Sequence, residues 1–287
     1  MILVTAATGQ LGKLTIKALL EAGTEPSRII AGVRNPEKAQ GLKALGVQVR
    51  PLDYSQPETI KSALQGVERL LLISGTNFGQ RVQEHQNVIE AAKKADVKLL
   101  AYTSILNAGE MMLAGEHKGT EAVLKASGVP YVLLRNGWYN ENYLSSIQQA
   151  AATGKVFGAA GEGRISSAAR SEYAEAAAQV LLTDGHENQT YELGGSNNFT
   201  LAELAAEIAH QTGKEVSYHN LPAQEYEALL VQFGLPAGYA HALADSDTGI
   251  ARGELFTERD DLTRLIGHAT TPISETVRQA LEVVPQS

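Results

Sequence analysis

Cysteine is absent from the 287-residue chain. That excludes disulfides, thiolate zinc sites, iron–sulfur clusters and cysteine nucleophiles together. Long apolar runs are absent too. None approaches the roughly 18 residues that a membrane-spanning helix needs. Positive charge is scarce: 24 Lys and Arg face 32 Asp and Glu, for a net charge of −8. The richest basic stretch, Lys93, Lys94 and Lys98, is broken by Asp96. An acidic surface repels phosphate backbones, so no nucleic acid is expected as a partner. The N-terminus, Met1 to Thr5, has no basic region and too short an apolar one for a signal peptide. A cytoplasmic protein without a membrane span is expected. Internal repeats and low-complexity linkers are missing. What is present is an ordinary globular mixture, 44% hydrophobic and 20% charged.

Short apolar runs alternate with amphipathic stretches through the first half. The runs are Ile2–Thr5, Ile29–Val33, Val47–Leu52, Leu70–Ser74, Leu99–Ser104 and Tyr131–Arg135. Most lack polar alternation, which suits strands buried on both faces. Helices are predicted at Leu11–Leu19, Glu37–Leu45, Pro57–Leu64, Gln80–Ala95 and Glu116–Ser127. Alternation of strand and helix implies an α/β fold with a doubly wound parallel sheet. A dinucleotide-binding domain is expected over residues 1–150, and a smaller α+β substrate-binding domain over 151–287. Some later segments are expected to return to the first domain. In the second part a helix is predicted at Glu172–Leu182, and strands at Tyr191–Leu193 and Val216–Asn220. A Thr200–Glu203 capping box opens another helix there.

The first strand runs through Thr5-Ala-Ala-Thr-Gly-Gln-Leu-Gly12 into a helix. Exposed N–H groups at such a helix start hold a pyrophosphate; Gly9 admits the phosphates and Gly12 lets the helix pack close. A Walker A loop would need glycine at Ala7 and Ser or Thr at Leu14, and fails twice. The second strand ends at Val33 and Arg34 follows. NAD enzymes usually place Asp or Glu here, whereas Arg34 offers a planar cation to the 2′-phosphate of NADPH. Ligands of open parallel sheets sit beyond the carboxyl ends of the strands. That points to Ser74, Gly75 and Thr76 after the fourth strand and to Thr103 and Ser104, candidate substrate residues, after the fifth. Asn136, Gly137, Trp138, Tyr139, Asn140 and Glu141 follow the sixth. Arg170 and Tyr173, at the head of a later helix, either close the cleft over substrate or pack the helix start.

The glycine turn resembles the Thr-Gly-Ala-Thr-Gly-x-x-Gly turn of atypical short-chain dehydrogenases, the NmrA-like branch. Val33-Arg34-Asn35-Pro36, Asp53-Tyr54, Leu71-Leu-Ile-Ser-Gly75, Ala101-Tyr-Thr-Ser104 and Leu134-Arg-Asn-Gly-Trp-Tyr139 continue the resemblance, which extends to Leu265-Ile-Gly-His268. It implies a Rossmann fold, NADPH as cofactor and a quinone-like acceptor, as in the quinone-reducing bacterial members. It places Ala6, Ala7, Thr8, Gly9, Gln10 and Leu11 around the pyrophosphate, and Ser74, Gly75 and Thr76 beside ribose and pyrophosphate. It sets Asn136 to Glu141 beside the nicotinamide and His117 near the cleft, with Tyr139 and His117 as catalytic candidates. One departure stands out. Ala6 occupies the first glycine position, and costs about 1–2 kcal/mol if φ there is positive.

Alcohol-oxidising relatives use a Tyr-x-x-x-Lys pair for proton exchange. None of the ten tyrosines has lysine four residues later; Tyr131 has Arg135, within a predicted strand. An acceptor that takes hydride directly, such as a flat quinone, fits that absence. Asp245-Ser-Asp-Thr-Gly249 fails as a calcium loop because Ile250 stands where glycine is required. No two histidines are four apart, and no Gly-x-Ser-x-Gly elbow exists, so no metal site is expected. Two rival functions remain: a non-catalytic NADP-sensing regulator, and a reductase of cationic dyes or imines.

Overall fold

The computed structural model describes residues 1–282. Its strands are β1 (Ile2–Val4), β2 (Ile29–Val33), β3 (Gln48–Pro51), β4 (Arg69–Leu72), β5 (Leu99–Ile105), β6 (Tyr131–Asn136), β7 (Lys155–Gly158), β8 (Gln189–Leu193) and β9 (Ser217–Asn220). The first six helices are α1 (Gln10–Glu21), α2 (Gln40–Ala44), α3 (Pro57–Ala63), α4 (Arg81–Lys94), α5 (Met112–Ser127) and α6 (Leu144–Thr153). The others are α7 (Arg170–Leu182), α8 (Leu201–Thr212), α9 (Ala223–Gln232), α10 (Ala237–Ala251), α11 (Asp261–Ile266) and α12 (Ile273–Glu282).

Seven strands form one parallel sheet in the order β3-β2-β1-β4-β5-β6-β8. This is the Rossmann-type doubly wound α/β fold. Successive strand side chains alternate between faces. Ile2 and Val4 therefore join one core with Ile29, Ala31 and Leu71, while Leu3 joins the other with Ile30, Leu70 and Leu72. Helices α1 and α7 cover the first face; α3, α4 and α5 cover the second. Both faces are dry, so the strands need no polar alternation. The edge strand β3 departs from this rule. It is partly exposed rather than buried on both faces, and its Arg50 guanidinium donates to Ala63 O and Gln65 O at 2.8 and 2.7 Å.

The sheet takes its last strand, β8, and the covering helix α7 from beyond residue 150. A third apolar cluster lies outside the sheet, among α6, β7, α8 and α12. There β7 and β9 form a two-stranded parallel pair. The Thr200–Glu203 box caps α8 as expected: Glu203 N–H donates to Thr200 Oγ1 at 3.1 Å, and Thr200 N–H donates to Glu203 Oε2 at 2.8 Å. Helix α5 starts at Met112, four residues before the predicted Glu116, so His117 lies in its second turn. Asp245 to Gly249 form part of α10, not a loop. Among the described residues no helix is long and apolar enough to cross a membrane, and no acidic or histidine cluster suits a metal ion.

Candidate functional site

The strand order reverses between β1 and β4, and the site is built at their carboxyl ends. The turn after β1 closes with Gly9 N–H donating to Ala6 O at 2.8 Å. Ala6 has φ +47°, in the left-handed region, so its methyl is carried at a cost of about 1–2 kcal/mol. A Cβ on Gly12 would stand 2.6 Å from Ala6 O and 2.8 Å from Ala7 Cα. Only glycine lets α1 approach the turn this closely. Ala7 and Leu11 are buried, whereas Ala6, Gly9 and Gln10 are exposed and Thr8 partly so. Gly9 has no side chain to cap α1, and the first turn holds no acid. The helix start thus keeps open N–H groups and its positive dipole end for an anion. Arg34 stands exposed after β2, in no ion pair among the described residues. This cradle and this cation fit the pyrophosphate and 2′-phosphate of NADPH.

After β4 the backbone is held by side chains. Ser74 N–H donates to Thr103 Oγ1 and Gly75 N–H to His85 Nε2, each at 2.9 Å. His85 must therefore carry its proton on Nδ1, which faces Thr120 Oγ1 at 2.9 Å. Burial, reinforced by the Arg81 guanidinium, pushes His85 down to about 3, so it stays a neutral acceptor. Thr5 Oγ1 accepts Ile73 N–H at 2.9 Å, and Tyr54 Oη lies 2.5 Å from Thr5 Oγ1 and 2.8 Å from Ile73 O. Thr5, Tyr54 and His85 were not among the expected site residues, because their contacts span up to 68 positions of sequence. Thr76 continues this loop without a side-chain partner among the described residues.

Not every expected residue converges here. Ser104 turns its hydroxyl to Glu121 Oε1 at 2.6 Å. Glu121 also binds Arg135, whose guanidinium reaches Glu192 at 2.7 Å. Ser104 and Arg135 thus belong to an ion-pair network between β5, β6, β8 and α5. His117 is buried, with Nδ1 2.8 Å from Tyr102 Oη, and burial pushes it down to about 3. It is a neutral imidazole at ordinary pH. Lys118 is exposed on the helix surface.

Residues 136–141 fan out in several directions. Asn136 is buried and its Oδ1 has no partner, an open acceptor at the end of β6. Gly137 faces inward: a Cβ there would meet Ser166 O at 2.6 Å and Tyr173 Oη at 2.9 Å. Tyr173 is buried and donates to Trp138 O at 3.2 Å, which packs the helix start. Asn140 is buried too, donating to Thr271 O at 3.1 Å and accepting from Ser167 Oγ at 2.5 Å. Glu141 accepts the Arg170 N–H at 2.9 Å. Tyr139 lies under the Arg170 guanidinium, 4.5 Å from its ring centre, and burial raises its phenol. Arg170 also bonds Gln10 of the glycine turn. Arg170 therefore joins the turn to Tyr139.

Beyond Trp138 opens a cavity of about 640 Å³ that the sequence pattern did not reveal. Six aromatic rings line it: Trp138, Tyr143, Phe157, Tyr226, Phe233 and Tyr239. They come from four separate segments, so no local spacing announces them.

A model of the NmrA-like family matches residues 1–269. The chain is 50% identical to Quinone oxidoreductase 2 of Escherichia coli over 285 residues, 99% of each protein. The structure of the NADPH-dependent quinone oxidoreductase of Escherichia coli complexed with NADPH superimposes with a TM-score of 0.95, at 50% identity. It covers 98% of this chain and 100% of that one. The Citrobacter sp. triphenylmethane reductase complexed with NADP(H) superimposes with a TM-score of 0.93 at 40% identity, covering 98% and 100%. The glycine turn, the sheet order and the polar strand ends lie inside the matched span, and the chain belongs to the NmrA-like family.

Proposed function

We propose that this protein is an NADPH-dependent oxidoreductase that reduces a quinone-like acceptor. The carrying observation is the 50% identity to the Escherichia coli quinone oxidoreductase across 99% of both chains. The site agrees with it in chemistry. The open start of α1 and Arg34 would hold the phosphates, and the loop from Ser74 to Thr76 would line the ribose. The unpaired Asn136 Oδ1 offers an acceptor to an amide N–H. Bound NADPH supplies the hydride; the chain supplies binding and alignment. Tyr139, fixed by Arg170 and Tyr173, is a wall of the acceptor face in this reading. His117, neutral and bonded to Tyr102, acts through packing rather than as a cationic acid.

The test is steady-state reduction of 1,4-naphthoquinone, followed at 340 nm with NADPH and with NADH. NADPH is expected to bind roughly 10- to 150-fold more tightly, the worth of a charge-assisted contact. Arg34→Asp is expected to remove or reverse that preference. Tight NADPH binding without oxidation by any quinone or dye would favour the sensor reading instead.

A further inference from the structure

The cavity beyond Trp138 has an unusual polar floor. Asp247, on α10, lines it. One carboxyl oxygen, Oδ2, accepts the Ala159 N–H at 2.7 Å. Oδ1 has no hydrogen-bond partner among the described residues, and no basic side chain pairs with Asp247 there. The Tyr143 hydroxyl is sealed from solvent and has no partner either. An unpaired polar atom is costly away from water, as the Tyr143 hydroxyl is, while the partly buried Asp247 keeps one carboxyl oxygen unengaged at the cavity. The rim carries exposed apolar side chains, Phe233 at 45% and Tyr239 at 55% exposure. The volume is of the size that holds a small aromatic molecule. Trp138 lies between Gly137 and Tyr139, so the cavity adjoins the end of β6.

We propose that this cavity receives the planar acceptor, and that Asp247 is a specificity-determining residue that donates a hydrogen bond from its carboxyl to the acceptor's carbonyl oxygen. The proposal rests on the reductase reading for its ligand class. Aromatic walls stack a flat ring, and a single polar group at the floor orients it. For Asp247 to donate it must hold a proton. Its surroundings favour that: burial pushes its carboxyl up to about 7. The titratable groups facing it are Tyr143, Tyr218 of β9 and Tyr226 of α9, all raised by burial. Asp245 on the same helix is engaged instead with the Met112 N–H. Asp247 is therefore the group of this cavity that titrates near neutrality. Below that point it is a donor for a neutral carbonyl. Above it, the bare carboxylate repels a carbonyl oxygen and favours a cation.

Trp138 is the single tryptophan of the chain, so occupancy of the cavity is readable without turnover. The intact protein is titrated with 1,4-naphthoquinone, and tryptophan quenching is corrected against free N-acetyltryptophanamide. Saturable quenching is expected at pH 6, with affinity weaker by roughly tenfold at pH 8.5, the worth of one hydrogen bond to a charged or neutral partner. Asp247→Asn keeps a donor that does not titrate, and is expected to bind equally at both pH values. A triphenylmethane cation is expected to show the opposite pH trend in the parent and none in the variant. Ser145→Phe, which fills the mouth from an exposed position of α6, is expected to abolish saturable quenching while calorimetric NADPH binding persists. Quenching that never saturates, an unchanged pH trend in Asp247→Asn, or unaltered quinone binding in Ser145→Phe would each overturn the proposal. Saturable quenching with no NADPH oxidation would instead defeat the reductase reading and leave the pocket standing.

Discussion

The glycine-turn region and the aromatic cavity are built on opposite terms. On the sheet side, backbone is clamped by backbone and by neutral side chains. Gly12 presses on Ala6 and Ala7, Gly75 is held by His85, and Ile73 by Thr5. On the side of the third cluster, the cavity has aromatic walls, exposed rings at its rim and polar atoms left unpaired. The first side presents one fixed surface, as the unvarying phosphates of a cofactor require. The second leaves room for rings of different size, as the proposed acceptor would require. A rigid anchor beside an adaptable pocket lets binding energy from the cofactor position it while the partner varies.

The strongest way to break this contrast is Gly12→Val. Its Cβ would enter backbone space at 2.6 Å, and neither Ala6 nor Ala7 can give way without moving β1. Overpacking of this kind costs about 1–3 kcal/mol or more. NADPH affinity is expected to fall by at least a hundredfold (about 2.7 kcal/mol), measured by calorimetry beside a circular-dichroism melt. Near-normal binding would mean that the turn is pliable. The same logic makes Gly137→Val a test of folding rather than of the acceptor face. The methyls would strike Ser166 O and Tyr173 rather than the cleft, so folding suffers first.

Acid sharpens the comparison next. His85 and His117 have folded values near 3, below the ordinary 6.5. Their contribution to stability is full above 6.5 and is lost as pH falls toward 3. Each is expected to cost on the order of 2 kcal/mol between pH 7 and 5, read as a lower midpoint in urea. Asp247 has the reverse sign. Its folded value, about 7, lies above the ordinary 3.8, so its contribution is full below 3.8 and lost as pH rises through 7. Asp247→Asn is expected to raise the melting temperature at pH 8 and leave it unchanged at pH 3.5. Because Asp247 gains stability over the same window, the histidine loss is read in Asp247→Asn, where a flat stability profile between pH 7 and 5 would show that the two histidines are solvated.

The smallest effect is expected at Ala6. Glycine there removes about 1–2 kcal/mol of left-handed strain but returns roughly 0.4–1 kcal/mol of unfolded-chain entropy. A net gain of up to about 1.5 kcal/mol is expected, with NADPH binding tightened by less than tenfold. A lower melting temperature for Ala6→Gly would mean that the turn has adapted to its methyl.

The sequence by itself determined the parallel sheet, the glycine turn and the position of Arg34. These rest on short-range patterns: apolar runs, a helix start four residues after Ala6, one cation after one strand. It also excluded the Tyr-x-x-x-Lys chemistry, since that pair is a matter of spacing. Tertiary structure decided the rest. Ser104 and Asn140 read as cleft residues because they follow strands, yet their side chains turn to Glu121 and Thr271, partners that only packing supplies. The tautomer of His85 and the inward face of Gly137 depend on neighbours from other elements. The cavity shows the limit most clearly. Its floor joins Asp247 to Ala159 across 88 positions, and its rings come from segments whose separation in sequence carries no period. Periodicity encodes which face of an element is buried; it does not encode which distant element arrives to cover it or leaves it open.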